Sequence, residues 1–488
     1  MSNKLDIHLF TIGQECLLYD VGSYKCHKVD RELYEVLKKV ANNAGIDKTP
    51  KQYRAFVDRL TRYSPDPSPE PNRRITGMTL FITQECNMHC AYCFVERIED
   101  TYGVPTKLRN MNRHTAFQAI DLLVELSKNS PLLNIVFFGG EPLTNFEIIP
   151  TIVTYASKAA KANNQKAVFA VVTNGTLLTE KILRYLVEND ILMVLSLDGD
   201  REINDRTKKF ETSHYDAVLK NLALFKKRPR LAIRSTLSKA NYQHMNRIID
   251  CFSTNGFPVV QFDATAPGSG PLTLGEEDNS ELFRQYSKVF EKLVKDMGLF
   301  DRKTIHPFTQ ELFRIIFKRK GVNACSAGRR NLAIDFQGDI YPCQRMVGQK
   351  DLAAGNVTEP FDWSKIEPYY MADITRKEPC NTCWARYLCA GGCVQAALTV
   401  NGDLMKPDEF GCIHKKRMLE LAAYHSRKLN QIKLLPLVPN ILRSVRTTPG
   451  HIIRDEDWDM AEQIEKNPFR FLLHKILPNL LGRKDFGL

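Results

Sequence analysis

An α/β fold organised around a parallel sheet or partial barrel is what this sequence predicts, on three observations. Six short β-rich runs, at 78–83, 135–138, 167–173, 192–197, 231–236 and 259–264, recur between Ile75 and about residue 290. Helical patterns lie between them, as in the spacing of Ala116, Ala119, Ile120, Leu123 and Leu126. Polar and sulfur-bearing residues follow the ends of several runs, and in such folds ligands sit at the C-terminal ends of the strands.

The chain of 488 residues is long enough for several domains and at least one large buried core. Its 43% hydrophobic and 25% charged content is that of a globular protein. Lys and Arg exceed Asp and Glu by 12, yet they are spread along the chain, which reads as a solvated basic surface. No interleaved basic and aromatic stripe points to nucleic acid. No apolar run reaches the length of a bilayer span, and residues 1–6 lack the apolar core of a signal peptide. A cytoplasmic location is therefore expected. In that reducing compartment the thirteen cysteines read as metal or cluster ligands rather than disulfides.

Five segments are expected. Residues 1–62 form a small module, with strands at 8–12 and 16–21 and a helix capped by Asp30 that carries Leu33, Val36, Leu37 and Val40. Residues 63–74 are a Pro-rich linker. The α/β region spans 75–299, a cysteine-rich region 300–425, and a helical tail 426–488. Two apolar, basic stretches of the tail, 432–443 and 468–483, read as packing on the protein's own surface.

Cys86, Cys90 and Cys93 stand on one short loop directly after the first run of the α/β region. Three thiolates so placed can bind three irons of a cubane and leave the fourth open to a small molecule, whereas structural zinc takes four protein ligands. This Cys-x3-Cys-x2-Cys motif, with Tyr92 between its last two cysteines, resembles that of the radical S-adenosylmethionine (SAM) superfamily. The resemblance implies a 4Fe–4S cluster whose open iron is chelated by SAM, and reductive cleavage to a 5′-deoxyadenosyl radical. It extends to Gly139, Gly140, Glu141 and Pro142 after the second run, similar to the family's motif for the methionyl amine, and to the strand ends at Asn174 and Ser196. Arg206 or Arg234 is expected to meet the SAM carboxylate.

A second pattern runs Cys325-x12-Gly338-x4-Cys343, then Cys380-x2-Cys383-x5-Cys389-x3-Cys393, then Cys412. It resembles the SPASM extension of some radical SAM enzymes. The fold implied is a partial (β/α)6 barrel with a C-terminal iron–sulfur SPASM domain and a small α+β N-terminal module. The resemblance implies two auxiliary 4Fe–4S clusters, for three in all: Cys380, Cys383, Cys389 and Cys412 on the outer, Cys325, Cys343 and Cys393 on the inner. Zinc in place of the inner cluster would need a histidine such as His414. Cys16, Cys26 and Cys251 fall outside the pattern and read as packing residues.

SPASM enzymes act mostly on peptides or proteins. In sulfatase maturases an Asp directly after the second cysteine of the inner cluster acts as a base; here that position is Gln344, which cannot take a proton. The reading this leaves is a peptide maturase that cross-links side chains of a ribosomal precursor through a thioether or carbon–carbon bond. Modification of a larger protein, or electron transfer alone, are the alternatives. The N-terminal module resembles elements that bind a leader peptide as an added strand. An external electron donor such as flavodoxin or ferredoxin is expected. The catalytic base is not legible.

Overall fold

The computed structural model describes residues 4–42, 49–64, 74–95, 109–128, 130–224, 230–257, 259–268, 270–296 and 304–429. The N-terminal module is a three-stranded antiparallel sheet of β1 (Ile7–Ile12), β2 (Glu15–Asp20) and β3 (Lys25–Val29), with β2 central. Alternation along β2 sends its side chains two ways. Cys16 and Leu18 pack with Leu33, Leu37, Val40 and Val57 in a local core, while Leu17 and Tyr19 join the main core. The helix Arg31–Asn42 starts at Asp30, whose carboxylate accepts from Leu33 N at 2.7 Å, as its sequence predicts. The third strand was not expected: Lys-Cys-His-Lys-Val lacks an apolar alternation, and pairing with β2 makes it a strand.

The six expected runs are all strands. They are β4 (Gly77–Thr83), β6 (Leu132–Gly139), β7 (Lys166–Thr173), β8 (Leu192–Ser196), β10 (Leu231–Leu237) and β11 (Val259–Ala264), with the two-residue strands β5 (His89–Cys90) and β9 (Lys208–Lys209) paired separately. The main sheet runs β12-β11-β10-β8-β7-β6-β4-β13-β14, where β12 is Thr304–His306, β13 Asn331–Ile334 and β14 Ile340–Tyr341. From β12 to β13 every neighbouring pair is parallel; β14 returns antiparallel. From β4 through β12 each new strand of the sheet adds beside its predecessor, the order that winds a sheet toward a barrel. It also sets all the parallel strands' C-terminal ends on one rim. Strand β4 is buried on both faces, as parallel strands covered by helices are. The sheet does not stop at residue 299, because β12 to β14 extend it at both edges.

The N-terminal module sits on the cysteine-rich region. Arg386 donates through Nη1 to Asp6 Oδ1 at 3.0 Å and through Nη2 to Oδ2, both side chains being almost wholly buried. The His8 ring stacks on Trp384 with centroids 3.9 Å apart, and its Nε2 lies 2.9 Å from Glu420. Trp384 and Arg386 follow Cys383 in sequence, so the module braces that cysteine loop. The Pro-rich run 64–71 and the tail stretches 432–443 and 468–483 fall, apart from Ser64, outside the described residues. No helix among the described residues is long and apolar enough to cross a membrane.

Removing one partner of a buried ion pair strands the other charge. Asp6→Ala is therefore expected to destabilise the protein by about 3–5 kcal/mol, read as a lower urea midpoint; an unchanged midpoint would show that water reaches Arg386.

Candidate functional site at the carboxyl rim of the sheet

Two strand tips meet where the first cysteine loop begins. Gly140 N donates to Thr83 O at 3.0 Å and Glu141 N to Glu85 O at 2.8 Å. The approach leaves no room for side chains. A Cβ on Gly139, whose φ is +139°, would stand 1.8 Å from Thr83 O, and one on Gly140 would stand 2.3 Å from Glu85 O. What approaches these glycines is the segment leading to Cys86.

The Glu141 carboxylate is buried and turned inward rather than toward the rim. Its Oε1 accepts from Leu143 N at 3.0 Å and Thr173 Oγ1 at 2.8 Å, and its Oε2 from Asn174 N at 2.7 Å. It thereby ties the end of β6 to the end of β7. Burial raises its pKa to about 7, against these three hydrogen bonds, which favour the carboxylate. Pro142 opens the 3₁₀ turn Pro142–Asn145, and Asn145 Nδ2 donates to Ile82 O at 2.8 Å. The four residues of this motif act together as a latch on the β4 tip.

The cysteine loop is held from its other side by β9. His89 and Cys90 pair with Lys209 and Lys208, and Ala91 N donates to Thr207 O at 2.9 Å. Cys93 N closes the turn onto Cys90 O at 2.9 Å. Cys86, Cys90 and Cys93 are all partly buried and outside any disulfide. Burial, then Glu141, Cys90 and Cys93, push the Cys86 thiol up to about 12, with a hydrogen bond from the Met88 backbone opposing. Asn174 reaches the same loop, its Nδ2 donating to Asn87 Oδ1 at 2.9 Å.

Behind the loop lies a buried polar group of which sequence reasoning named only two members. Tyr92 Oη donates to Asp198 Oδ2, and Asp198 Oδ1 accepts from Thr236 N at 2.8 Å. Lys208 Nζ donates to Ser196 Oγ at 2.8 Å and lies 3.9 Å from Asp198. Its side chain is 2% exposed. Burial opposes its charge, but Asp198, the Tyr92 phenol and the Cys90 thiol hold it above the usual lysine range. The two arginines expected to serve as the site's cation are engaged elsewhere. Arg206 is exposed and pairs with Glu202 at 2.5 Å, while Arg234 Nε binds Asp263 Oδ2 at 2.8 Å. Lys208 is instead the buried cation beside the cysteine loop. The sequence hides it because the Thr-Lys-Lys stretch reads as surface, and only the β5–β9 pairing turns it inward.

Cys380, Cys383, Cys389 and Cys412 act electrostatically on one another. Cys343 feels Cys393, and Cys325 and Cys393 both act on the buried Lys377. Gly338 makes the turn between β13 and β14 at φ +94°, where a Cβ would meet Val357 Cγ2 at 2.7 Å. His414 packs among rings, with centroids 4.0 Å from Phe410 and 5.3 Å from Phe283. Among the described residues no three Cys, His, Asp or Glu side chains converge on a single-ion position. Gln344 is buried, directly after Cys343. Cys16 is buried, and Cys251 lies 3.4 Å from Tyr215 Oη, while Cys26 is half-buried.

Residues 80–250 match the radical SAM superfamily. The chain is 24% identical over 357 residues to the radical SAM cyclopropyl synthase TigE of Paramaledivibacter caminithermalis, covering 70% of this chain and 73% of that one. It is 26% identical over 327 residues to a cysteine-type anaerobic sulfatase-maturating enzyme of Clostridium perfringens, covering 63% and 85%. The solved structure of native anSMEcpe with bound AdoMet superposes with a TM-score of 0.62 at 22% identity, over 72% of this chain and 98% of that one, and shows the same fold. The chain carries a radical SAM domain. It is an enzyme with relatives among sulfatase-maturating enzymes and a radical SAM cyclopropyl synthase.

His214 underpins this site. Its Nδ1 accepts from Asn204 Nδ2 at 2.9 Å and its Nε2 donates to Asn174 O at 2.8 Å, which needs the neutral ring. Burial lowers its pKa from 6.5 to about 4. The unfolded chain then binds a proton that the folded one does not, so this contribution is complete above pH 6.5 and is lost as pH falls through about 4. Urea midpoints are expected to fall from pH 7 to pH 4 with a slope that His214→Gln makes shallower; identical slopes would contradict a neutral buried ring.

Proposed function

We propose that this enzyme binds SAM and a 4Fe–4S cluster on the Cys86–Cys93 loop and oxidatively cross-links side chains of a ribosomally made precursor peptide, through a carbon–carbon or thioether bond. The observation that carries the reading is the three-cysteine loop pinned at the carboxyl rim by the Gly139–Glu141 latch on one side and by β9 on the other. Three cysteines on one loop, none in a disulfide, fit a cubane that leaves one iron open. The second region fits two more clusters, with Cys380, Cys383, Cys389 and Cys412 for one and Cys325, Cys343 and Cys393 for the other. When bound, these groups supply a 5′-deoxyadenosyl radical and an acceptor for the second electron released as a new bond forms.

The chain's own residues do the positioning. Lys208 and Ser196 offer the SAM carboxylate a buried cation and a hydroxyl on adjacent atoms. Tyr92, through Asp198, fixes the loop between Cys90 and Cys93. Asn174, held by His214 through its carbonyl and by Asn87 through its amide, completes the rim. Gln344 cannot accept a proton at the place where sulfatase maturases carry their base, which favours a reaction other than formylglycine formation. The N-terminal sheet has β1 and β3 as its edges and rests on the Cys383 loop through Arg386 and Trp384, which suits leader-peptide binding by strand addition near the cysteine region. A flavodoxin or ferredoxin is the electron donor this chemistry calls for.

Reconstituted anaerobically and given SAM and dithionite, the protein is expected to release 5′-deoxyadenosine, and Cys90→Ala to abolish it. Lys208→Met is expected to raise KM for SAM about 10–100-fold, the value of a charge-assisted hydrogen bond; an unchanged KM would remove Lys208 from the binding site. Co-expressed with the short peptide encoded beside its gene, the enzyme should yield a product two hydrogens lighter with a block of residues that resists fragmentation. An unmodified peptide despite 5′-deoxyadenosine release would overturn the peptide assignment in favour of a larger protein substrate.

A further inference from the structure

Lys377 is completely buried. Its Nζ has one hydrogen-bond partner, Gly391 O at 3.1 Å, and among the described residues no carboxylate pairs with it. Its backbone is as fixed as its side chain: its N donates to Asp373 O and its O accepts from Asn381 N, each at 3.0 Å, on the turn that leads into Cys380. Gly391, its acceptor, lies between Cys389 and Cys393 with φ +96°, and a Cβ there would stand 3.7 Å from Lys377 Cδ. Four thiols act electrostatically on Lys377: Cys380 and Cys389 from one set, Cys325 and Cys393 from the other.

A lysine without a counter-anion is costly to bury. Neutral thiols do not compensate it, whereas a cluster with its thiolates is an anion, and one on each side would. The donor sets and this uncompensated ammonium therefore fit the same pair of groups. We propose that Lys377 is the cation between the two auxiliary clusters, a positioning residue that raises the reduction potentials of both by stabilising their reduced, more negative forms. The proposal rests on the cluster reading above. It follows from electrostatics: a cluster's potential is set by its net charge, hydrogen bonds and exposure, and a cation shielded from solvent acts with little screening by salt.

The test is an EPR-monitored redox titration of the full chain carrying Cys86→Ala, Cys90→Ala and Cys93→Ala, so that only auxiliary signals remain. Iron analysis and visible absorption come first. Absence of iron–sulfur signals there overturns the cluster reading, and the role of Lys377 with it, and is distinguished from failure of Lys377 alone by the iron content. With clusters present, Lys377→Met is expected to shift both midpoints to more negative potential at unchanged iron content, and Lys377→Arg to return them toward the parent values. Unchanged midpoints, or a shift confined to one cluster, overturn the shared-cation role. Should Lys377→Met lose iron, Lys377→Arg and Lys377→Gln provide the comparison, and equal potentials in those two variants overturn it in the same way.

Discussion

The close passage of the β6 tip over the β4 tip is the contact on which the rest of the site depends. Two glycines are needed because backbone carbonyls, not side chains, occupy the space a Cβ would take. Backbone cannot shift aside cheaply in a parallel sheet whose neighbours on both sides are bonded. The Glu141 carboxylate then joins this tip to the next strand. Cys86 leaves the sheet from a point fixed by three strands, and the loop it opens is closed by the distant β9 pair. A site on a loop gains the precision of the sheet by this means.

Charge is arranged around the loop in a layered way. Asp198 is fully buried and accepts from Tyr92, Thr207 and the Thr236 backbone. Lys208 offsets it and still presents its ammonium beside Ser196. Buried polar groups of this kind hold only when each is satisfied. His214 adds a neutral bridge from Asn174 to Asn204 and hence back to Asp198, whose N donates to Asn204 Oδ1 at 3.0 Å. The cysteine-rich region repeats the device with fewer partners: Lys377 donates to Gly391 O, and the groups acting on its charge are thiols. The N-terminal module, anchored through Asp6 and Arg386, stabilises the same region from outside.

Much of this was legible in the sequence. Apolar runs bounded by turns marked the six central strands, because strands buried on both faces carry the pattern by themselves. Cysteine spacing marked both groups of cysteines proposed here as cluster ligands. The short strands β12 to β14 were not found as barrel strands, since two to four residues cannot show a period and their partners lie far off in sequence. Lys25–Val29 escaped for its polarity. The rim cation escaped for a different reason: Arg206 carries the charge the site calls for but spends it on Glu202 one turn away, while Lys208 looks like surface until β5 pairs with it. Glu141 shows the reverse, a residue found at the right place whose carboxylate faces the fold and not the rim.

The central claim is that the Cys86–Cys93 loop holds a cluster with one iron open to SAM. EPR of the anaerobically reconstituted, dithionite-reduced full chain tests it most directly, recorded with and without SAM. The account predicts a cluster signal that changes shape when SAM is added, and no such change in the chain carrying Cys86→Ala, Cys90→Ala and Cys93→Ala. A signal indifferent to SAM in the unmodified protein, or a loop that binds zinc in place of iron, would contradict it.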